Sequence, residues 1–374
     1  MTESAGRFLA EKIISPLDLP AFDNSAMDGY AVRSVDVRGA RAESPITLKL
    51  AAKIPAGELF TAELLAGECA RIFTGAPLPR GADAVVMQED TRADGGGVSF
   101  LDEAAVGENV RRCGEDVKRG MTLAEAGEEI SSGRIALLAA TGFATVTVAR
   151  RPNVALIATG SELREPGQPL LSGQIYESNR AMLSPLIAGC GGVPKVFPIV
   201  PDTLDATSAA LQSAFSASDI VVTSGGVSVG ELDFVKAAFE SLGGELQFWK
   251  VAMRPGKPFV FGRLGEKFLF GLPGNPVSAF VTFLLLVRPA LLRWQGAMEV
   301  SLPSHAAVLG ESISNPGDRR HFVRVRVAAD GKVISAGKQA SHALSSLAGA
   351  DGLLDVTPQT TFAASTSVNV LRWV

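Results

Sequence analysis

Three glycine-rich turns between Asp219 and Phe280 each adjoin an apolar, β-prone run: SGGVSVGELDF, RPGKPFVFG and GLPGNPVSAF. In the first, the run 220–222 stops at a Ser-Gly-Gly sequence, and a helix-like segment starts near Asp233. Glycines let the backbone approach a phosphate closely, and the free N–H groups of a helix start point toward it. The candidate binding residues of this turn are Ser224, Gly225, Gly226 and Ser228.

The third turn contributes Pro273, Asn275 and Pro276. The spacing of the three turns predicts consecutive strand ends that open on one crevice, where open α/β sheets bind ligands. Three ordinary surface turns are the alternative interpretation.

Lys250, Arg254 and Lys257 lie within eight residues around the second turn. On a plain surface such cations would simply be solvated. Beside a glycine turn they suit a dianionic oxyanion or a phosphate, because positioning and charge stabilisation do most of the catalysis at such groups.

Three acidic residues follow predicted strands or open a predicted helix: Glu162, Asp202 and Asp233. Together they could hold Mg²⁺, which binds a few carboxylates plus the phosphate oxygens of a substrate. Helix capping is the alternative role and is compatible with metal binding. Three polar loops nearer the N-terminus, at 22–30, 73–79 and 111–116, are either site loops or ordinary solvated turns.

The elements that position these residues change character along the chain. Residues 30–130 hold short β-prone runs at 46–51, 84–88 and 98–101, which predict a small β-domain. Ser132 is expected to cap a helix that runs through Ala140 and is followed by a strand at 144–148.

From 151 to 290 strands and helices alternate. The expected strands are 154–158, 193–200 and 220–223, and the expected helices are 178–188, 204–217 (capped by Asp202 or Thr203) and 233–242. This alternation implies βαβ units and a mostly parallel sheet. β-prone runs return at 306–309, 321–328 and 332–335. The predicted fold class is therefore multidomain α/β plus β.

Bulk properties exclude several classes of protein. A chain of 374 residues is too long for one ordinary core, and 47% hydrophobic residues with 39 glycines are typical of a turn-rich globular protein. A net charge of −4 with scattered cations argues against a nucleic-acid surface. The three cysteines form no disulfide framework, which fits a reducing cytosol, and the three histidines form no zinc-ligand set.

The N-terminus lacks a signal-peptide core, and the lipophilic run Ala279–Val287 is too short to span a bilayer, so we expect a buried helix in a soluble, cytoplasmic protein. The glycine turns match neither G-x-G-x-x-G nor G-x-x-x-x-G-K-[ST]. From the residues alone, the reaction at this anion-binding crevice stays open.

The same residues closely resemble the molybdopterin molybdenumtransferase family, which includes MoeA and the E domain of gephyrin. The resemblance is carried by SPLDLPAFDNSAMDGYAV, RIFTGAPLPRGADAVVMQED, RRCGEDV, ATGSEL, GQIYESNR, TSGGVSVGELDFVK, FWKVAMRPGKPFVFG and GLPGNPVSAFVTF, which run in order from Ser15 to Phe283. The C-terminal region matches less sharply.

The resemblance implies four parts. These are a small extended segment (1–30 and 116–150), an inserted β-domain (31–115), an α/β domain similar to the molybdopterin adenylyltransferase (151–301) and a β-barrel-like C-terminal domain (302–374). It also implies a homodimer, whose cleft lies between the α/β domain of one subunit and the inserted β-domain of the other. Family members usually carry a helical stretch near the dimer contact ahead of the motif at 6–10. Whether this chain truly lacks that stretch or its start codon was assigned too late is left open, and so is the stability of the dimer.

The implied reaction is insertion of molybdenum from molybdate into adenylylated molybdopterin, with Mg²⁺ and release of AMP. The implied site positions are Asp28, Thr74, Arg111, Asp116, Glu162, Asp202, Asp233, Lys250, Arg254 and Lys257, with the three acidic residues of the α/β domain at the metal. Family members can carry lysine at the position of Arg254. Arg324, Ser341, Pro273 and Pro276 line the implied molybdate or adenylyl-pterin region.

Two alternatives remain open on this basis. One is a molybdopterin adenylyltransferase, which would need only the α/β domain and is also the expected transient partner of this family. The other is a non-catalytic scaffold or molybdopterin-binding protein. Molybdate and tungstate, both tetrahedral dianions, are each acceptable as the oxyanion.

Overall fold

The computed structural model describes residues 1–227 and 234–373, and the chain divides into two compact units. The first unit comprises Met1–Ala5, Glu11–Ala126 and Ile130–Thr147. The second comprises Gly6–Ala10, Gly127–Glu129 and Val148–Val374.

The first unit is β-rich and carries one helix in its last segment. Its elements are β1 (Ile13–Ile14), β2 (Asn24–Ser25), β3 (Gly29–Val32), β4 (Arg41–Ile54), β5 (Glu68–Ile72), β6 (Ala84–Met87), β7 (Thr91–Asp94), β8 (Gly97–Asp102), β9 (Val110–Arg111), β10 (Thr122–Ala124) and α1 (Ser132–Ala140), with 3₁₀ turns at Thr2–Ser4, Ser34–Asp36 and Gln88–Asp90.

A six-stranded sheet in the order β6-β3-β5-β4-β8-β7 forms the centre of this unit. Its two faces bury separate apolar clusters, one around Val32 and Phe100 and the other around Ile54 and Ile72. The predicted strands at 46–51, 84–88 and 98–101 are confirmed as β4, β6 and β8.

Two local predictions in the first unit are wrong. Ser131, not Ser132, caps α1, because its side chain accepts the Arg134 N–H while its backbone is extended. Two adjacent serines offer the same capping chemistry, so the sequence does not distinguish them. Residues 144–148 do not form the expected strand; Val148 makes only an isolated bridge with Leu9 in the second unit.

The second unit begins with an α/β region. Its elements are β11 (Asn153–Ala158), β12 (Leu163–Arg164), β13 (Ile175–Tyr176), α2 (Asn179–Gly189), β14 (Val193–Val196), α3 (Leu204–Ala217), β15 (Ile220–Ser224), α4 (Val235–Ser241), β16 (Glu245–Trp249), β17 (Met253–Arg254), β18 (Val260–Leu264), β19 (Lys267–Leu272), α5 (Pro276–Thr282), a π-helical turn (Phe283–Val287) and α6 (Arg288–Trp294).

The large sheet of this region has the order β14-β11-β15-β19-β18-β16. The first four strands are parallel to one another, while β18 and β16 are antiparallel to their neighbours. β11 and β15 are buried almost throughout, as expected when helices cover both faces of a parallel sheet. The predicted mostly parallel sheet is therefore confirmed, with an antiparallel edge that was not expected.

The helical segment Pro276–Trp294 packs in the core. It has 19 residues and a mean hydropathy of 1.5, so by length and composition alone it could cross a membrane. Its side chains instead join one apolar cluster with strands of the sheet, for example Val277 and Val281 with Leu272. The predicted buried helix at 279–287 is confirmed.

The chain ends in a β-rich region of the second unit. Its elements are β20 (Ser304–Val308), β21 (Ile313–Asn315), β22 (Arg320–Val327), β23 (Val333–Ser335), α7 (Leu344–Ala348), β24 (Gly352–Val356), β25 (Thr360–Phe362) and β26 (Ser367–Leu371). The sheet β17-β22-β24-β26-β20 begins with a strand from the α/β region, so Arg254 pairs with His321. The expected β runs near 306, 321 and 332 are confirmed.

Candidate functional site

The three glycine turns meet at one edge of the large sheet. β15 and β19 are parallel neighbours, so the turns that follow them leave from the same edge. β18 is antiparallel to β19, with Val260 opposite Gly271, so the second turn reaches this edge from the amino end of its strand. The predicted convergence is confirmed, although one of the three contributions comes from a strand's start rather than from its end.

A cavity of about 340 Å³ lies where these turns meet. Gly225, Gly226 and Val227 of the first turn, Pro258 of the second and the segment 273–275 of the third line it. The loops after β11 and β14 complete the wall, through Thr159, Gly160, Glu162 and Asp202, and the start of α5 adds Ser278.

The first turn requires glycine for two reasons. Gly225 has φ +91°, and a Cβ there would lie 2.6 Å from the carbonyl oxygen of Thr159. Gly226 has φ +66°, and its Cβ would lie 2.8 Å from Val235 Cγ2. Residues with side chains adopt such φ values rarely, so these glycines let the turn pack directly on the end of β11.

Two of the three predicted metal-binding carboxylates face this cavity. Glu162 and Asp202 line it from neighbouring loops, joined by a bridge between Thr159 and Val200. The backbone N–H of Ser161 donates to Asp202 Oδ2 at 2.9 Å, and the backbone N–H of Asp202 donates to Ser161 Oγ at 3.0 Å. The first bond fixes the position of one Asp202 carboxylate oxygen at the cavity wall, and the second joins the two loops.

The donor set at this wall fits Mg²⁺. Oxygen ligands from one or two carboxylates, supplemented by substrate phosphates and water, are its usual coordination in proteins. Within residues 1–227 and 234–373 no group of three or more His, Cys, Asp or Glu could hold a metal by protein ligands alone. Asp233 and Ser228, the other predicted members, lie outside the described residues.

A second cavity, of about 540 Å³, shares Thr159, Glu162, Gly274 and Asn275 with the first. Its remaining wall combines Ser224 and Pro276 with side chains of mixed polarity, among them Leu163, Ile175, Tyr176, Asn179, His342 and Leu344. Adjoining cavities with a common wall can hold two chemically different parts of one ligand.

The predicted cations lie beside the second turn with exposed side chains. Lys250 has φ +90° and its N–H donates to Phe259 O, while Val251 N–H donates to Lys257 O, so the backbone of the turn is closed by two bonds. In the described parts of the chain, neither cavity is lined by Lys250, Arg254 or Lys257. The structure therefore places them near the crevice edge through their turn, without direct contact with either cavity.

Arg324 is fully buried, which the sequence did not indicate. Its Nε donates to Ser346 Oγ at 3.0 Å, and its Nη2 donates to the carbonyl oxygens of Lys338 and Ala340 at 2.8 and 3.1 Å. Burial lowers the pKa of this guanidinium, and its Nη1 has no partner among the described residues. The guanidinium thus holds the loop that carries Ser341 and keeps one unused donor.

Ser341 contacts the start of α5 through its backbone. Its carbonyl oxygen accepts the N–H of Val277 at 3.1 Å, which attaches the C-terminal region to the helix that follows the third turn. The structure therefore places Ser341 against the residue that follows Pro276 in the chain.

His321 is buried between arginines. The pKa of this imidazole is lowered to about 4. Burial is the main cause, and the charges of Arg254, Arg324 and Arg319 add to it. The side chain is therefore neutral at physiological pH and leaves the positive charge of this region on the guanidinium groups.

The predicted site residues of the first unit lie on loops that contact one another. Thr74 donates to Asp28 Oδ1 from both its N–H and its Oγ1, each at 2.8 Å. These two bonds hold the pKa of Asp28 below its ordinary value, and the backbone bond has the larger effect. The Asp28 carboxylate is exposed and charged.

The third polar loop joins the same cluster through Asp23. Cys113 N–H and Arg112 Nη1 both donate to its carboxylate at 2.7 Å. Arg111 pairs with Asn24 in the short β2–β9 ladder, and Asp116 N–H donates to Leu19 O. The structure thus brings Asp28, Thr74, Arg111 and Asp116 onto one set of linked loops.

Two of the three cysteines, Cys69 and Cys190, are buried. Burial raises the pKa of Cys69 to about 12 and that of Cys190 to about 11, so neither is a thiolate at neutral pH. Cys113 is exposed on the third polar loop of the first unit.

Family models match almost the whole chain. Residues 1–142 match "MoeA N-terminal region (domain I and II)", residues 155–293 match "Probable molybdopterin binding domain", and residues 306–373 match "MoeA C-terminal region (domain IV)". The chain belongs to the MoeA family.

Relatives of the MoeA family match this chain over most of their own length. The molybdopterin molybdenumtransferase of Haemophilus influenzae is 41% identical over 351 residues, covering 92% of this chain and 85% of that protein. That of Bacillus subtilis is 38% identical over 361 residues, covering 95% and 84%. The crystal structure of the molybdopterin biosynthesis moeA protein from Pyrococcus horikoshii OT3 has a TM-score of 0.85 at 32% identity, covering 100% of this chain and 93% of that one.

Several residues of this MoeA-family site were missed by sequence reasoning. Thr159, Pro258 and Ser278 line the first cavity, and Asn179 lines the second. All four residues lie inside motifs quoted in the sequence analysis, so membership of those motifs was the available signal. Nothing in the local sequence around Asn179 indicates that its partners lie 45 and 95 residues away.

Proposed function

We propose that this protein is a molybdopterin molybdenumtransferase, which inserts molybdenum from molybdate into adenylylated molybdopterin and releases AMP in molybdenum cofactor biosynthesis. The observation that carries the proposal is the convergence of all three glycine turns on a cavity that two carboxylates also line. The identity of 41% over most of the chain with a relative of that name supports the choice of reaction.

The first turn and the start of α5 would bind the phosphates of the substrate. The turn approaches the cavity through the backbone of Gly225 and Gly226, and α5 begins at the same wall with Asn275 as its N-cap. A helix N-terminus carries partial positive charge, and with the following π and α6 turns this helix is long enough to supply it. Phosphate binding is therefore expected at this wall.

Glu162 and Asp202 would hold Mg²⁺, together with Asp233 from the segment outside the described residues. When bound, the ion would neutralise phosphate charge at the anhydride that is broken. The protein's own contribution is the orientation of the Asp202 carboxylate, which the bond from Ser161 N–H provides.

Lys250, Arg254 and Lys257 would bind molybdate by charge-assisted hydrogen bonds. Their side chains are exposed at the turn, so they are accessible to an incoming oxyanion. Pro273, Pro276, Ser224, Ser341 and Arg324 would shape the surroundings, Arg324 through the loop that it holds. Tungstate would bind in the same way, because it has the same shape and charge.

We also propose that the protein works as a homodimer in the cytoplasm. In this proposal the loops of Asp28, Thr74, Arg111 and Asp116 from one subunit act on ligand bound by the second unit of the partner. The concentration of charged, exposed site residues on these loops supports it. Because the substrate is an adenylylated compound, the supplier must be an adenylyltransferase, and a transient contact with it would limit loss of the substrate.

Subunit complementation tests the shared cleft. Asp28→Ala and Glu162→Ala homodimers should both be inactive. The two variants are then unfolded and refolded together, so that their chains pair at random. About a quarter of all sites are then intact if the cleft is shared, and none is intact if each cleft belongs to one chain. Recovery of molybdate-dependent AMP release would support sharing, and its complete absence in a mixture of folded dimers would refute it.

The metal proposal is tested by Glu162→Gln, which keeps the size of the side chain and removes its charge. The variant should bind adenylylated molybdopterin and release AMP at least about a hundredfold more slowly at a fixed Mg²⁺ concentration. An unchanged rate and an unchanged Mg²⁺ requirement would remove Glu162 from the metal site.

A further inference from the structure

Asn179, the first residue of α2, connects two of the glycine turns. Its Nδ2 donates to Ser224 Oγ at 2.6 Å, where the first turn begins, and to the carbonyl oxygen of Gly274 at 2.7 Å, in the third turn. The residue is only 8% exposed. One buried amide therefore ties a helix to two segments that line the first cavity.

The orientation of this amide is determined by its partners. The carbonyl of Gly274 can only accept a hydrogen bond, so the amino group of Asn179 must face it. Its Oδ1 is buried and has no partner among the described residues. The side chain therefore acts through its two donated bonds.

The start of α2 is a firm support for such a contact. The backbone N–H groups of Asn179 and Arg180 donate to Glu177 Oε1 at 2.6 and 3.0 Å. The buried guanidinium of Arg180 donates to Glu177 Oε2 at 2.8 Å and to the carbonyl oxygen of Phe197 at 2.6 Å. These bonds hold the start of α2 in place, so the position from which Asn179 contacts the two turns is fixed.

The two turns also touch each other. Gly225 N–H donates to Leu272 O at 3.1 Å, and a Cβ on Gly274 would lie 3.7 Å from Gly225 Cα. Their separation sets the width of the cavity wall, and a shift of one turn against the other would misplace the backbone groups that face a ligand. A misplacement of this kind costs affinity even when every ligand-binding group is still present.

We propose that Asn179 is a positioning residue, which sets the spacing of the first and third turns through its two donated hydrogen bonds. The proposal deepens the proposed function, and it rests on that function only for the identity of the ligand whose binding reports the spacing.

Three variants separate positioning from ordinary stability. Asn179→Ala removes the side-chain amide, and Asn179→Asp keeps its size but replaces both donated bonds by a carboxylate. Asn315→Ala is the matched control. Asn315 is 1% exposed, and its Nδ2 donates to the carbonyls of Arg319, Val356 and Thr357 in the C-terminal β region.

Two measurements decide the result: hydrogen exchange of peptides that contain the turns at 224–227 and 272–275, and the Kd of AMP measured by calorimetry. Both Asn179 variants should show faster exchange in the two turns. Their AMP affinity should fall about five- to tenfold, the net effect of about one hydrogen bond. Asn315→Ala should unfold at lower urea concentration but change neither readout in the turns.

Wild-type behaviour of Asn179→Asp in both measurements would overturn the proposal, and so would equal effects of Asn315→Ala. Failure of the proposed function is a separate outcome, because it would appear as a wild-type protein without molybdate-dependent AMP release. If the wild type did not bind AMP, the exchange of the two turns in the Asn179 variants would still decide for or against positioning.

Discussion

Ser161 and Asp202 exchange hydrogen bonds across two loops, with Ser161 N–H donating to Asp202 Oδ2 and Asp202 N–H donating to Ser161 Oγ. The two residues lie 41 positions apart in the chain and meet at the edge of the large sheet where the glycine turns converge. The pair orients a carboxylate before any ligand is present, which is how a site avoids reorganisation during the reaction.

The first prediction concerns this pair. Ser161→Ala removes the bond that Ser161 Oγ accepts and leaves the backbone bond to Asp202. We expect the Mg²⁺ concentration for half-maximal AMP release to rise about tenfold, because partners that orient metal ligands have effects of this size. Ser216→Ala, which removes an exposed hydroxyl bonded to Gln212 O on α3, is the control and should leave the Mg²⁺ dependence unchanged.

The second prediction concerns the pKa of Asp28. Its depression comes from two bonds donated by Thr74, so Thr74→Val should move the pKa part of the way back toward the ordinary value. Because the pKa of this carboxyl is lower in the folded state than in the unfolded state, its contribution to stability is present above the unfolded-state pKa, including at neutral pH. The contribution is lost as the pH falls through the folded-state pKa. A carbon-detected NMR titration should show the shift at Asp28 and none at Asp23, whose partners are Cys113 and Arg112. An unmoved Asp28 would contradict the assignment.

The third prediction concerns the first glycine turn. Gly243 has φ +83° with open space around its Cβ position, so Gly243→Ala should cost about 1–2 kcal/mol of unfolding free energy from backbone strain alone. Gly225→Ala adds a clash with the carbonyl of Thr159 and should cost about 1–3 kcal/mol more. Urea unfolding of both variants measures the difference, and equal losses would show that the turn does not pack tightly on β11.

The fourth prediction concerns the pH dependence of stability. His321 has a folded-state pKa of about 4 against an ordinary 6.5, so the unfolded chain takes up the proton first. Stability from this residue is full above pH 6.5 and falls by about 2–3 kcal/mol as the pH drops toward 4. His321→Gln should flatten this part of the profile in urea unfolding between pH 7 and 4. Parallel profiles for the two proteins would show that the imidazole is not desolvated.

Much of the fold follows from local sequence patterns. The apolar run before Ser224, the glycines after it and the alternation of strands and helices predict the edge at which the turns meet. The antiparallel β18 was missed, although Gly265 and Glu266 between two β-prone runs are the residues of a two-residue hairpin. That signal was available in the sequence.

Other features depend on partners that local patterns do not reveal. The burial of Arg324 depends on carbonyls of the loop 338–340 and on Ser346, and the role of Asn179 depends on turns far along the chain. The resemblance placed Arg324 near the ligand and Asn179 in the motif GQIYESNR, but it indicated neither the burial of Arg324 nor the partners of Asn179. Their roles arise from the tertiary arrangement, which brings acceptors to them from several elements.

The most direct test of the proposed function is AMP release from adenylylated molybdopterin by the purified wild-type protein, with molybdate and Mg²⁺ added separately and together. We expect rapid release only when both are present, with tungstate able to replace molybdate. Release that does not depend on the oxyanion, or no release from a folded protein that binds the substrate, would contradict it.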